Sequence, residues 1–491
     1  MIEHLPALLI VLPMVGAPLN LLVRSSRLSW LLSSAILATS LGISLQLVQR
    51  VMATGPVAYE MGGWAAPVGI TYHIDAVGAF VTLIVTLVSF VAMLYARRSV
   101  DDELPADVHY LFYAAWLLCT TGLLGMTVTG DAFNVFVFLE ISSLSSYVLI
   151  GLGRDRRALT AALQYLIMGS IGGTFILVGI GLMYAMTGTL NMADLAVRLG
   201  PVMDTRAVLV SFAFITVGAS LKLALWPLHF WLPNAYTYAP SAVSAFISAT
   251  STKVMVYVLM RFALTIYGVD FSFGELHLGM PLMCLSLAGI WVATTVAVFQ
   301  GDLKRLLAYS SVGQIGYMIL GLSLATVGGV TAAVLHLFNH AVIKAGMFLA
   351  VGNVVYRTGS SRLHDLRGVG RVMPWSTAAF IVGGFGLIGV PLTVGFTSKW
   401  VLITATLAEG HPVIAVAALL SSLLAVAYVW RFVEAAWFHE PSETLANATE
   451  APVSMLIPTW LLVGASVWFG VAGQPTMDVA QAAAQRLLGG L

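Results

Sequence analysis

Apolar residues run along this chain in stretches of roughly 20, separated by short polar or charged knots, from Leu5 almost to the C-terminus. A helix rises about 1.5 Å per residue, so roughly 20 such residues cross a ~30 Å hydrocarbon core. The pattern predicts about 14 spans, at 5–23, 29–49, 75–96, 109–128, 132–152, 160–186, 206–226, 240–266, 280–300, 304–323, 328–355, 376–406, 411–437 and 453–473. No stretch is left over for a soluble domain, and the expected fold is all-α, a polytopic membrane protein. The first run follows an acidic beginning (Glu3) with no evident small-residue cleavage site, so it reads as a span and not as a removed signal peptide.

Composition supports this reading. Of 491 residues, 59% are hydrophobic and 9% charged, and the mean hydropathy is +0.93. A net charge of +1 gives no basis for nucleic-acid binding, and Cys119 and Cys284 lie inside apolar runs, where they say nothing about redox compartment. The arginines are uneven between alternate loops. Arg24, Arg27, Arg97, Arg98, Arg154, Arg156, Arg157, Arg305, Arg357, Arg362, Arg367, Arg371 and Arg431, with Lys304, fall on one side; Arg50, Arg198, Arg206, Arg261 and Arg486 fall on the other. By the positive-inside rule the richer side is cytoplasmic and both termini face outward, as expected for a bacterial plasma (inner) membrane protein.

The lysines follow a different rule. There are five, and Lys222, Lys253, Lys344 and Lys399 all fall within predicted spans, while arginine serves the loops. Arginine keeps its proton under nearly all conditions, whereas a buried lysine can take one up and release it. A charge at the bilayer centre costs roughly 2.5–3.5 kcal/mol even on insertion scales, so such residues mark function. Structural ion pairs are the competing explanation, but four lysines face one clear mid-span carboxylate, Glu140 in "NVFVFLEISSLSSYVLIGL", and cannot all be paired with it.

Two of the lysines neighbour helix breakers. Lys222 precedes "LALWPLHFWLP", with Pro227 and Pro233, and Lys399 follows a run holding Gly389, Pro391 and Gly395. Proline removes a backbone donor and clashes with the preceding turn, so breaks are expected at Pro227 and Pro391. Broken helices beside ionisable groups are how transporters build ion sites. In "HLFNHAVIKAGMF", His336, His340 and Lys344 recur every four residues and share a helix face. A metal reading of the two histidines is disfavoured by the following lysine and the lack of a completing carboxylate; a proton relay suits the row better.

An internal repeat is also legible. "SSYVLIGL" ending at Leu152 is echoed by "IGYMILGL" ending at Leu322, and "MTG" ending at Gly188 by "RTG" ending at Gly359. These echoes suggest related five-helix units at 101–270 and 271–440, between an N-terminal part (1–100) and a C-terminal span (441–491). Five is odd, so the second unit is expected to enter the membrane inverted. Ser310 or Ser311 takes the place of Glu140.

With Glu140 after "GDAFNVFVF", Lys222 before "WPLHFWLP", Lys253 in "STKVMVY", the "HLFNHAVIKAGMF" row and Lys399 in "GFTSKW", the chain resembles the antiporter-like family. That family comprises the large subunits of Mrp-type Na+/H+ antiporters and the proton-pumping membrane subunits of complex I and membrane-bound hydrogenases. Within it the chain is most similar to D-type Mrp subunits, for instance in "GTLNMADLA", although "SAVSAFISATSTK" departs from their usual pattern. The resemblance implies a Glu140–Lys222 pair, a polar line through Lys253, His336 and Lys344, and an end at Lys399. It also implies partner membrane subunits, protons and Na+ as transported ions, and no cofactor. A redox-driven complex is the alternative parent, and a stand-alone solute symporter the more distant one.

Three weaker signals remain. "GFGLIG" (Gly384–Gly389) fits a dinucleotide fingerprint only formally, since no strand precedes it. "NAT" at Asn447 fits a glycosylation pattern, yet falls on the expected cytoplasmic side. "DDELPAD" (Asp101–Asp107) reads as a solvated loop.

Overall fold

The computed structural model describes residues 2–446 and 448–489, so the pattern at Asn447 lies outside the described residues. Twelve helices among the described residues are long and apolar enough to cross a membrane. In chain order, α1 (Leu5–Val23) and α2 (Ser26–Thr54) lead into a hairpin of β1 (Val57–Glu60) and β2 (Thr71–Ile74), with Val57 opposite Ile74. Four uninterrupted helices follow: α3 (Ala76–Glu103), α4 (His109–Val128), α5 (Ala132–Gly151) and α6 (Arg157–Thr187).

The expected span 206–226 is not one helix. After the short α7 (Met192–Leu199), α8 (Arg206–Lys222) stops at the lysine, an irregular segment holds Pro227, and α9 (Trp231–Tyr238) resumes for two turns. Next come α10 (Ser241–Met260), which continues to Ile266 as a wider i→i+5 helix, then α11 (Gly279–Val298), α12 (Leu303–Ser323) and α13 (Val327–Thr358). After the single turn α14 (Val369–Val372), the expected span 376–406 is likewise split into α15 (Pro374–Ile388) and α16 (Val394–Ala408), with Pro391 in the gap. The chain ends with α17 (Pro412–Trp437), α18 (Val453–Val471) and α19 (Gln474–Leu488). The last was not expected from hydropathy; it buries Val479, Ala480, Ala483, Ala484 and Leu487 along one face, against α3 and α13.

The centre of the molecule is α13. It packs against α3, α10, α12, α15, α16, α18 and α19, and nearly all its side chains are buried. The peripheral α1, α2, α6, α17 and α18 instead leave leucines, valines and tryptophans exposed, such as Leu22, Leu163, Leu423 and Trp468. Such apolar exteriors face lipid.

A set of hydrogen bonds recurs 171 residues apart. The Asp131 carboxylate caps α5 at the Asn134 amide, and Asp302 caps α12 at the Arg305 amide. The Ala132 amide donates to Leu190 O and the Leu303 amide to Ser361 O; the Met192 amide donates to Gly130 O and the Leu363 amide to Gly301 O. Both α6 and α13 end on a left-handed glycine, Gly188 and Gly359.

Three expectations at the span ends are corrected. Arg97, Arg98 and Asp101–Glu103 are not loop residues but the last turns of α3, because the apolar face of that helix continues beneath the charges. Lys304 is not a solvated loop cation: it is 5% exposed, in the first turn of α12. Arg261 is buried as well, paired with buried Asp75 at 2.8 Å, so it does not count as a surface charge.

Candidate functional site

The breaks position the first two charged groups. Because α8 ends at Lys222, its ammonium turns back toward α5, where it lies 3.7 Å from Glu140 Oε1 and donates to Ser143 Oγ at 2.7 Å. The lysine is buried and the carboxylate about a quarter exposed. Glycines in α6 make the room. A Cβ on Gly173 would come within 2.3 Å of Glu140 Oε1, one on Gly172 within 3.2 Å of Lys222 Cγ, and one on Gly169 within 3.4 Å of Lys222 Nζ.

Beyond this pair the lysines have no carboxylate. Among the described residues Lys253, Lys344 and Lys399 form no ion pair, so carbonyls and hydroxyls carry their hydrogen bonds. Lys253 on α10 donates to Ser248 O and Thr252 Oγ1 of its own helix. Lys344 on α13 donates to Leu307 O at 2.7 Å and to Ser310 Oγ. Lys399 uses the break: the carbonyls of Leu387 and Ile388, freed where α15 stops, accept from its ammonium at 2.6 and 3.2 Å, and Ser422 Oγ accepts at 2.9 Å. Val394 O, in the first turn of α16, accepts from Asn339 Nδ2 at 2.6 Å. Backbone at membrane depth persists only with such partners.

The histidines join these groups. His336 bonds Ser398 Oγ through Nδ1 (2.8 Å) and Gln314 Oε1 through Nε2 (3.0 Å). His340 stacks on His336 with ring centroids 5.9 Å apart, and neither of its buried nitrogens has a protein partner. Tyr317 closes the far end, its ring 6.0 Å from that of His336 and 4.8 Å from Lys399 Nζ. Thus His340, His336, Ser398, Tyr317 and Lys399 form one contiguous polar cluster. Lys222 and Lys253 are not joined by a direct hydrogen bond.

Pro227 and Pro391 lie in the two breaks, touching none of the charged groups by hydrogen bond; they terminate helices. Gln314, Ser398 and Tyr317 were not singled out from the sequence, nor was the Asp75–Arg261 pair. At that pair's end of the molecule, burial holds the His73 imidazole of β2 below its usual value, with Asp75 acting in the opposite direction.

Comparison with known proteins bears on the family and the fold. The family described as NADH:quinone oxidoreductase/Mrp antiporter, TM, matches residues 129–425. The chain is 39% identical over 479 residues to the N-type subunit of a NADH-quinone oxidoreductase from Desulforudis audaxviator, covering 94% of each. It is 31% identical over 487 residues to the D-type subunit of a Na(+)/H(+) antiporter from Alkalihalophilus pseudofirmus, covering 98% of this chain and 97% of that one. A chain of the Mrp complex from a Dietzia species superposes with a TM-score of 0.90 at 26% identity, over 99% of this chain and 97% of that chain.

Proposed function

The chain belongs to the NADH:quinone oxidoreductase/Mrp antiporter family of membrane proteins, and from that premise we propose that it is the proton-translocating subunit of a multisubunit Na+/H+ antiporter. Protons move along Glu140, Lys222, Lys253, Lys344, His340, His336 and Lys399. It works with other membrane subunits in a bacterial inner membrane, its arginine-rich face toward the cytoplasm and both termini outside.

The observation that carries this reading is the Glu140–Lys222 pair at 3.7 Å beside three buried lysines without counter-charges. At about 4 Å and an effective dielectric near 20, the attraction is roughly 4 kcal/mol. While the pair is closed, Lys222 keeps its proton. When Glu140 withdraws, a desolvated ammonium is left uncompensated, and its proton passes toward Lys253. The charge arriving there repels the next, through Lys344, His340 and His336, until Lys399 releases it. A proton crossing from Lys222 to Lys253 needs a water or a hydroxyl; Thr252 Oγ1, which accepts from Lys253 Nζ at 3.3 Å, stands at the Lys253 end. Inverted units at 101–270 and 271–440 supply the two halves of the route.

The test is ion exchange in vesicles holding the assembled complex. Glu140→Ala and Lys222→Ala are each expected to abolish Na+-driven proton movement; retained exchange with normal assembly in either variant would sink the scheme. A relative 39% identical to this chain, named as an N-type subunit of a NADH-quinone oxidoreductase, supports a second reading, a redox-driven pump. Proton movement driven by a Na+ gradient with no electron donor present favours the antiporter; movement only on adding a donor favours the pump.

A further inference from the structure

On the arginine-rich face, the ends of α3, α6, α9, α12 and α13 surround a cavity of about 490 Å³. Asp102, Glu103, Arg154, Asp302, Lys304 and Arg362 are among its lining groups. The arginines are exposed, whereas Lys304 is buried. Two of the groups bracket the turn that joins α9 to α10. Lys304 Nζ donates to Ala239 O at 3.1 Å, while the Glu103 carboxylate accepts from the Ser241 amide at 2.9 Å and from Ser99 Oγ at 2.6 Å.

Lys304 is also one turn along α12 from Leu307, whose carbonyl accepts from the buried Lys344. Along α12, Lys304, Leu307, Ser310 and Gln314 follow at steps of three, three and four, which keeps them near one face. Leu307 O and Ser310 Oγ accept from the Lys344 ammonium, and Gln314 bonds His336. The helix therefore runs from the cavity wall to two titratable groups of α13, Lys344 and His336.

We propose that this cavity is the proton port of the arginine-rich face, and that Lys304 loads protons from its water into the relay, with Glu103 as the counter-charge across the α9–α10 turn. The inference rests on the relay described above. In the step, a hydronium ion in the cavity gives a proton to the Lys304 amine and is left as water, and the resulting ammonium gives one proton, through water, to the Lys344 amine. Lys304 returns to the amine and is reloaded from the cavity. No other bond changes, and either form of Lys304 can donate to Ala239 O. An anion site is disfavoured because Arg157, at the rim, is already held by Asp155 at 2.5 Å.

The experiment uses the assembled complex in vesicles. Lys304→Met and Lys304→Arg are each expected to slow proton flux at least tenfold, because arginine preserves the charge but does not release its proton. Wild-type flux in Lys304→Arg overturns the port and leaves the lysine a purely structural hydrogen-bond donor. A second measurement does not depend on folding of these variants. In a Cys284→Ser background, Val355→Cys places a thiol in the cavity wall, and a membrane-impermeant thiol reagent added to the arginine-rich face is expected to cut flux at least tenfold. Full flux after complete labelling overturns the port. The two ideas separate cleanly: block by the label together with intact exchange in Glu140→Ala keeps the port and sinks the relay. Unaffected flux in the labelled and Lys304 variants with loss in Glu140→Ala does the reverse.

Discussion

At the residue scale, the Glu140–Lys222 contact depends on what α6 lacks. Gly169 and Gly173 lie one turn apart beneath the pair, and the residues 171 positions on are His340 and Lys344. The first unit thus leaves space for charges arriving from α5 and α8, where the second fills the same space with its own titratable side chains. Gly173→Ala should push Glu140 Oε1 away, since the added carbon would sit 2.3 Å from it. Moving the charges from about 4 to about 6 Å weakens their attraction by roughly 1.5 kcal/mol at a dielectric near 20, or about tenfold in an equilibrium. Exchange should fall by about that factor in assembled complex. Gly181→Ala, in the same helix with open space around it, is the control expected to retain wild-type exchange.

At the element scale, the helix starts at Asp131 and Asp302 make the same point twice. Each carboxylate holds an otherwise orphaned amide in the first turn, at 2.7 and 3.0 Å. Replacing either by alanine should cost about 1 kcal/mol locally. Amide exchange at Asn134 or Arg305 should quicken about fivefold in the matching variant, measured by hydrogen exchange, with the other site unchanged. The same motif explains what could and could not be read in advance. "GDA" before α5 and "GDL" before α12 announce two helix starts, and with that alignment Lys304 falls inside a helix and not in a loop. Hydropathy puts Lys304 only at the edge of a span, and the count of loop charges takes it as solvated, because a charge at a span end looks solvated until other elements wall it in; here the α9–α10 turn does so. The buried lysines and both breaks were legible because each violates a rule of apolar helices. Gln314, Ser398 and Tyr317 violate none, and their place beside His336 and Lys399 emerges only when α12, α13, α16 and α17 pack.

At the scale of the whole molecule, the ends differ in what holds them. The arginine-rich end is open and polar around Lys304, while the other is tied by Asp75 at the start of α3 and Arg261 where α10 widens. These residues are 186 apart in sequence, so only the fold pairs them. Arg261 also reaches Tyr257 Oη at 3.2 Å, which in turn donates to Thr127 O, linking α3, α4 and α10. Both charges are buried, and removing one partner leaves the other uncompensated, at a cost of about 3–5 kcal/mol. Replacing both is expected to cost much less, because no lone buried charge remains. Arg261→Met should therefore lower the melting temperature of the detergent-solubilised complex by several degrees, and Asp75→Asn on top of it should restore most of the loss. If the two losses simply add, the pair contributes nothing as a pair, and this end of the bundle is held by apolar packing alone.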